Sequence, residues 1–334
     1  MSIGRAESLR LAGAAALATG LLLAQPGNAA AQEATAPTGP IEITSGTGAG
    51  GTPDVAMRIV AKILNETGLI ENPIVVQNRT GGSWMVASNY VIGRPGDANT
   101  VMTVAGPIFS TPIQQGLPTV YDKLTPIAMF ITGELVIAVQ ADSPLDTLAD
   151  IVAKAKEKPN NVTVAGAQVG ANDHQVIGLL EKSAGVDINF VPFDSGAAAE
   201  AAFMGGNSDF VTLALNEAAP LIEGGKIKPV AVLSEERRSD LDLYKDVPTA
   251  KELGYDIVLD QNWGLAGPPG LDPAIAKWWD EKLSAMVQTE QWKTEIARNM
   301  WRTDYVGLDR SKAHLQGMQD YTFELLDGIG LAKK

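Results

Sequence analysis

The stretch GTGAGGTPD (residues 46–54) follows the apolar run IEIT (41–44) and leads into VAMRIVAKILNETG (55–68). Strand, glycine turn and helix in immediate succession make a βα unit, and the repetition of that unit along the chain decides the fold. In the helix, Val55, Ile59, Ile63 and Leu64 form an apolar stripe at helical spacing, and Gly68 ends it. The order recurs with PIVVQN (73–78), the loop RTGGS (79–83) and a helix through Tyr90, and NTVMTVAG (99–106) supplies a third strand. Further on come VTVAGAQVG (162–170) with the helix DHQVIGLLEKSAG (173–185), and NFVPFD (189–194) with the helix AAAEAAFMGG (197–206). SDFVTLAL (208–215) and IKPVAVL (227–233) complete the series. Alternating strands and helices predict an α/β fold with largely parallel sheets flanked by helices. Right-handed crossovers then put the strand-to-helix loops along one edge of each sheet.

Two such units predict two lobes. The first is expected over 41–132 plus 234–334 and the second over 136–228, with strand-like crossings near 132–137 and 228–234. PGLDPAIAKWWDEKLSAM (269–286) reads as a helix of the C-terminal third returning to the first unit, with Pro273 at its start and Trp278 packed. Facing loop edges joined by two crossings leave a cleft, the arrangement that closes on ligands by hinge motion.

Residues 1–31 read as a signal peptide. Arg5 and Arg10 precede the apolar run LAGAAALATGLLLA (11–24), and Ala29 and Ala31 form the A-x-A end, so cleavage is expected after Ala31. The run of 14 residues is short of the roughly 20 that a membrane span needs. Residues 32–40 read as a flexible lead-in. The chain has no cysteine, which excludes disulfides, thiol nucleophiles and a lipidated N-terminal cysteine. An unanchored, disulfide-free exported chain is expected in a periplasm. The net charge of −13 becomes −14 without the leader's two arginines and one glutamate, a balance opposed to nucleic acid or an anionic membrane surface.

Gly46, Gly48 and Gly51 satisfy the G-x-G-x-x-G pattern of a dinucleotide turn. That site also needs an acid at the end of the second strand, which here ends Val76-Gln77-Asn78; Glu66 and Glu71 fall before it. No cofactor is therefore expected. Neither G-x-S-x-G nor H-E-x-x-H occurs, and no metal site is expected. Of two histidines, His314 lies in a helical stretch and His174 in the first turn of a helix beside Asp173. An exported enzyme built on His174 and Asp173 stays open at this level.

The glycine loop has a second reading. A helix N-terminus presents unpaired N–H donors and about half a positive charge, enough to hold a carboxylate without a basic side chain. Loops 78–83, 170–174 and 194–196 repeat the device. In any one of them the glycines could merely serve turn geometry; four on facing edges predict a small acid gripped from both sides.

The motifs A-G-G-x-x-D (49–54), N-R-x-G-G (78–82), G-x-x-D-H (170–174), V-P-F-x-S-G (191–196), M-G-G-x-x-D (204–209), D-V-P-T-x-x-E-x-G (246–254) and W-G-L-A-G-P-P-G (263–270) together resemble the Bug, or TctC-type, family. These are extracytoplasmic receptors of tripartite tricarboxylate transporters, and the motifs run in order through essentially all of the mature chain. The resemblance implies a two-lobed periplasmic-binding (Venus flytrap) fold that binds a small organic carboxylate without chemistry. It implies delivery to a large and a small membrane subunit of the transporter, by a monomer; a sensor read by a signalling partner is the alternative. Carried over by position, the ligand-binding set is Thr47, Gly48, Ala49, Gly50, Gly51 and Asp54 from the first loop and Gly81, Gly82 and Ser83 from the second. The other lobe adds Ala171, His174, Phe193, Asp194, Ser195 and Gly196.

Several positions depart from the family pattern. Gly46-Thr47-Gly48 replaces a bulkier opening, the second loop is compact, and Ala171 stands where a serine is usual. Asp194 stands where many members have lysine, which disfavours a second ligand carboxylate and favours a hydroxyl, an amine or a single acid group. Trp84, Phe109 and Phe193 are expected to pack in the core, with an aromatic wall to the cleft as the other option.

Overall fold

A computed structural model of the chain describes residues 36–166, 169, 171–193 and 196–333. The expected leader and its cleavage point lie outside these residues, as do Gly170, Asp194 and Ser195. The first run comprises β1 (Ile41–Ser45), α1 (Thr52–Glu66), β2 (Ile74–Asn78), α2 (Met85–Ile92), β3 (Thr100–Val104), α3 (Pro107–Gln115) and β4 (Thr125–Gly133). The second comprises β5 (Leu135–Gln140), α4 (Leu148–Glu157), β6 (Thr163–Gly166), α5 (Asn172–Ala184), β7 (Asn189–Pro192), α6 (Gly196–Met204), β8 (Val211–Ala214), α7 (Leu215–Glu223) and β9 (Ile227–Val232). Then come β10 (Gln261–Gly267), α8 (Pro273–Met286), α9 (Glu290–Arg298) and α10 (Leu308–Gly328). No helix among the described residues is long and apolar enough to cross a membrane.

The fold is α/β and two-lobed, with mixed rather than largely parallel sheets. In the first sheet, ordered β2-β1-β3-β10-β4, β1 runs parallel to β2 and β3 while β10 is antiparallel to both neighbours. In the second, β8-β5-β9, the central strand β5 opposes both neighbours, and β6 pairs β7 in parallel. The reversed strands are the ones that enter from the opposite half. A chain arriving from the loop edge must run against strands that point toward that edge.

Burial follows from strand position. TVMTV of β3 is buried along its whole length, as an interior strand covered on both faces should be. Along β5, Leu135, Ile137 and Val139 join one apolar cluster with α4, α5 and β6, and Val136 and Ala138 join another with Phe203 and Tyr244. In α1 the fully buried face is Ala56, Met57, Val60, Ala61, Ile63 and Leu64; Val55 and Ile59 of the expected stripe lie at its margin.

Both crossings are single residues. Glu134 alone separates β4 from β5, within the expected 132–137. The second differs from expectation. Residues 233–259 stay with the second half, contributing Leu233, Tyr244, Val247, Ala250, Ile257 and Leu259 to its clusters. Leu259 still donates to Leu233 O at 2.9 Å, whereas Gln261 pairs with Gly133 of the first sheet. The chain therefore crosses at Asp260 and not near 228–234. β9 ends at Val232, but the apolar residues after it, patternless in the sequence, cover the second sheet before the chain leaves.

Candidate functional site

β1 delivers the first loop to the cleft edge and α1 carries it away. Gly51 caps α1 with an extended backbone, and Pro53 occupies the first turn, where its missing N–H costs nothing. Asp54 is buried (1 % exposed) and turned back beneath the loop. Its carboxylate accepts from the Gly50 N–H at 2.8 Å, from Asn78 Nδ2 at 2.8 Å and from Arg58 Nε at 3.0 Å. Burial raises its pKa, but these donors and the Arg58 charge outweigh it and hold the carboxyl below its ordinary value. Asn78 also donates to Thr47 O at 3.0 Å, tying the loop to the end of β2. Asp54 is thus a support for the loop, and the Gly50 N–H is engaged by it.

In the second loop four consecutive residues have left-handed backbone, Gly81 (φ 123°), Gly82 (55°), Ser83 (47°) and Trp84 (74°). Ser83 and Trp84 carry a Cβ there, at a cost of roughly 1–2 kcal/mol each. The result is that the Trp84 indole folds over the first loop. A Cβ added to Gly46 would lie 2.6 Å from Trp84 Cγ and 2.7 Å from Cε3. The open Gly46-Thr47-Gly48 is therefore filled from the second loop. Arg79, at the second loop's start, turns away from the cleft and pairs with Glu42 at 3.0 Å while lying over the Tyr90 ring.

The second half faces these loops with Ala171 at the start of α5, Gly196 at the start of α6, and the turn from β8 into α7. His174 stacks on Phe190, ring centroids 4.2 Å apart, and burial lowers its pKa, so it is neutral at pH 7. Phe193 is half-buried and anchored by its N–H to Gly166 O at 2.8 Å. Phe109 is fully buried against Tyr121, with part of its surface on a cavity wall.

A cavity of about 900 Å³ lies between the loop edges. Of the expected set it is lined by Thr47, Gly48, Ala49, Gly50, Gly51, Gly81, Gly82, Ser83, Ala171 and Gly196. Asp54, His174 and Phe193 do not line it. Sequence reasoning missed the α3 wall (Pro107, Ser110, Thr111, Gln114), the turn from Thr212 to Glu217, and Glu200 on α6. The Gly106-Pro107 pair is a helix-start signal that could have found the first of these. Thr52 Oγ1 donates across the cleft to Glu217 Oε1 at 3.1 Å. A second cavity of about 590 Å³ shares Trp84, Pro107, Ser110, Ala171 and Gln261 with the first and continues toward β10 and α10. The charged side chains among the described lining residues are all acidic: Asp173, Glu200 and Glu217 in the first cavity, Glu235 and Asp260 in the second. Burial, and then the charge of Glu217, push the Glu200 carboxyl up.

A family model described as the tripartite tricarboxylate transporter family receptor, TctC, matches residues 56–302. The protein BugT of Bordetella pertussis is 28 % identical over 81 % of this chain and 83 % of its own. A crystal structure of a TctC solute-binding protein from Polaromonas, without ligand, superposes with a TM-score of 0.71 at 26 % identity, covering 87 % of this chain and 99 % of that one. A protein from R. palustris solved with adipate superposes at 0.79 with 22 % identity, over 89 % and 99 % of the two chains.

Proposed function

The chain belongs to the TctC family of tripartite tricarboxylate transporter receptors, and we propose that it captures a small organic carboxylate in the 900 Å³ cleft and hands it to a tripartite membrane transporter. One observation carries this reading: the two glycine loops of the first half, at the starts of α1 and α2, meet Ala171 and Gly196, at the starts of α5 and α6, around a single cavity. No N-cap side chain closes these helix starts among the described residues, so their dipoles favour an anion there, although the Gly51, Asp54 and Val55 amides of the first loop and α1 already donate to backbone carbonyls. The protein of like fold from R. palustris was solved with adipate, which supports a carboxylate as the ligand here. In this reading the protein is exported, works in the periplasm as a monomer, and does no chemistry. His174, turned into a stack with Phe190 and away from the cavity wall, is a packing residue. Gly196 forms part of the rim on the second half.

A thermal-shift panel of mono-, di- and tricarboxylates, amino acids and aromatic acids tests the reading. Ligand at 100 times Kd is expected to add about 2.7 kcal/mol of stability; no response to any acid sinks it. Gly50 has φ of 83° and open space beyond its Cα, so Gly50→Asn keeps the loop and Gly50→Asp adds a carboxylate to the cavity. Binding is expected in the first variant and lost in the second. Equal affinities would move the anion site elsewhere.

A further inference from the structure

The second cavity adjoins the first and also touches the starts of α1 and α5, where Thr52, Pro53, Ala171 and Asn172 line it. Five residues (Trp84, Pro107, Ser110, Ala171 and Gln261) line both. Beyond them Phe109, Leu259, Trp263, Met318 and Tyr321 line a 590 Å³ space together with the uncharged polar residues Asn172, Gln175, Asn262 and Thr322 and the acids Glu235 and Asp260. Burial raises the pKa of Asp260 above its ordinary value, against the pull of Arg302, and its Oδ1 has no hydrogen-bond partner. A second ligand carboxylate arriving there would meet two carboxylates whose cations, Lys251 for Glu235 and Arg302 for Asp260, are already paired, with no basic side chain among the described lining residues. An apolar tail would meet aromatic and aliphatic surface.

Resting on the carboxylate-receptor reading, we propose that the second cavity is a tail subsite and that the ligand is a monocarboxylate with an extended apolar or aromatic body. The acid group lies at the glycine loops, the chain crosses the Trp84 indole, and the tail fills the space before β10 and α10. Trp84 is the residue that sets this specificity. Its ring forms the shared wall, and it reaches that position because Gly46 leaves room and because residues 81–84 adopt a left-handed run. A bulkier residue at position 46 would drive the indole out of the passage. The tail subsite also gives a physical reason for a receptor whose cleft carries no basic side chain among its described lining residues. One carboxylate can be held by helix starts alone, and nothing needs to hold a second.

Calorimetric titration of the full mature chain with acetate, hexanoate, 3-phenylpropionate, 5-phenylpentanoate and adipate tests the assignment. Affinity is expected to rise about fourfold per buried methylene along the monocarboxylates. Hexanoate is expected to bind about tenfold more tightly than adipate, the diacid of equal carbon number, because the distal carboxylate would be desolvated beside Asp260. Tyr321 is 51 % exposed at the rim of the second cavity, so Tyr321→Lys adds a cation there at the cost of one exposed hydrogen bond, from its hydroxyl to Val258 O at 3.0 Å. That variant is expected to narrow or reverse the preference for hexanoate while leaving acetate binding unchanged. Affinity independent of tail length, or adipate bound as well as hexanoate by the wild type, overturns the tail subsite and leaves the carboxylate receptor standing. A preference unaltered by Tyr321→Lys overturns the assignment of the tail to this cavity. Failure of every acid, acetate included, overturns both readings together.

Discussion

At the scale of single residues, Gly46 and Trp84 behave as one unit. In the sequence they look like two unrelated departures, a small residue in the first glycine loop and a large one closing the second. The structure joins them, because the indole occupies the volume that any side chain at position 46 would claim. Trp84 is 6 % exposed and sits in the first apolar cluster, so its burial also stabilises that half. Gly46→Leu is expected to cost about 1–3 kcal/mol through overpacking, and Trp84→Ala about 3–5 kcal/mol through the space it vacates. In the double variant the leucine fills that space, so the two costs should fall short of their sum by at least about 1 kcal/mol. Urea unfolding of the four proteins measures this, and additive costs would mean that the contact is incidental.

The loops work because the elements behind them fix their geometry. Asp54, in the first turn of α1, engages one loop amide, Arg58 one turn further along its own helix and Asn78 at the end of β2. Asp54→Asn keeps the shape but removes the buried charge that the Gly50 amide, Asn78 and Arg58 all donate to, and a loss of about 1–3 kcal/mol at pH 7 is expected, with weaker acid binding as the loop loosens. The folded pKa is depressed, so this stability is present above the unfolded value of 3.8 and lost as pH falls through the folded one. The gap in unfolding free energy between the two proteins should therefore narrow as pH falls below 3.8, and a gap that stays constant as pH falls would point to shape rather than charge. The sequence made these elements legible: IEIT, PIVVQN and the helices after them have the period and the turns that specify strand and helix. It also located the glycine loops. What it could not give was orientation. Asp54 read as a cleft residue because a first-turn acid can face either way, and His174 read as a candidate base until Phe190, sixteen positions on, was seen stacked upon it. Glu200, Glu217 and the α3 wall carry no motif; they reach the cleft only because the two halves face each other.

For the molecule as a whole the decisive region is where the chain changes halves. Both crossings are single acidic residues, Glu134 and Asp260, and Arg302 reaches both, at 2.7 and 3.4 Å. Arg238, 4 % exposed, pairs with Glu134 and with Asp240 at 2.8 Å and donates to Met300 O at 2.9 Å. The two chain passages are thus bound to each other by charge, which ties any hinge motion to the state of this cluster. α10 reinforces the link, with Leu315 in the first apolar cluster and Leu325 in the second. Glu134 is fully enclosed, and burial raises its carboxyl to about 7 despite the two arginines. A carboxyl whose folded pKa lies above its unfolded value near 4.5 takes up a proton on folding between those limits. Its contribution is complete below pH 4.5 and is lost as pH rises to 7, a change of roughly 3 kcal/mol. Glu134→Gln mimics the protonated form at every pH. The variant and the wild type are therefore expected to have similar unfolding free energies at pH 5, with the variant gaining by up to roughly 3 kcal/mol at pH 8. Equilibrium urea unfolding at both values reads the difference directly. A gap that is the same at pH 5 and pH 8 would mean that the arginines keep Glu134 ionised throughout, and that the crossings are held by a permanent ion cluster instead of one that titrates near neutrality.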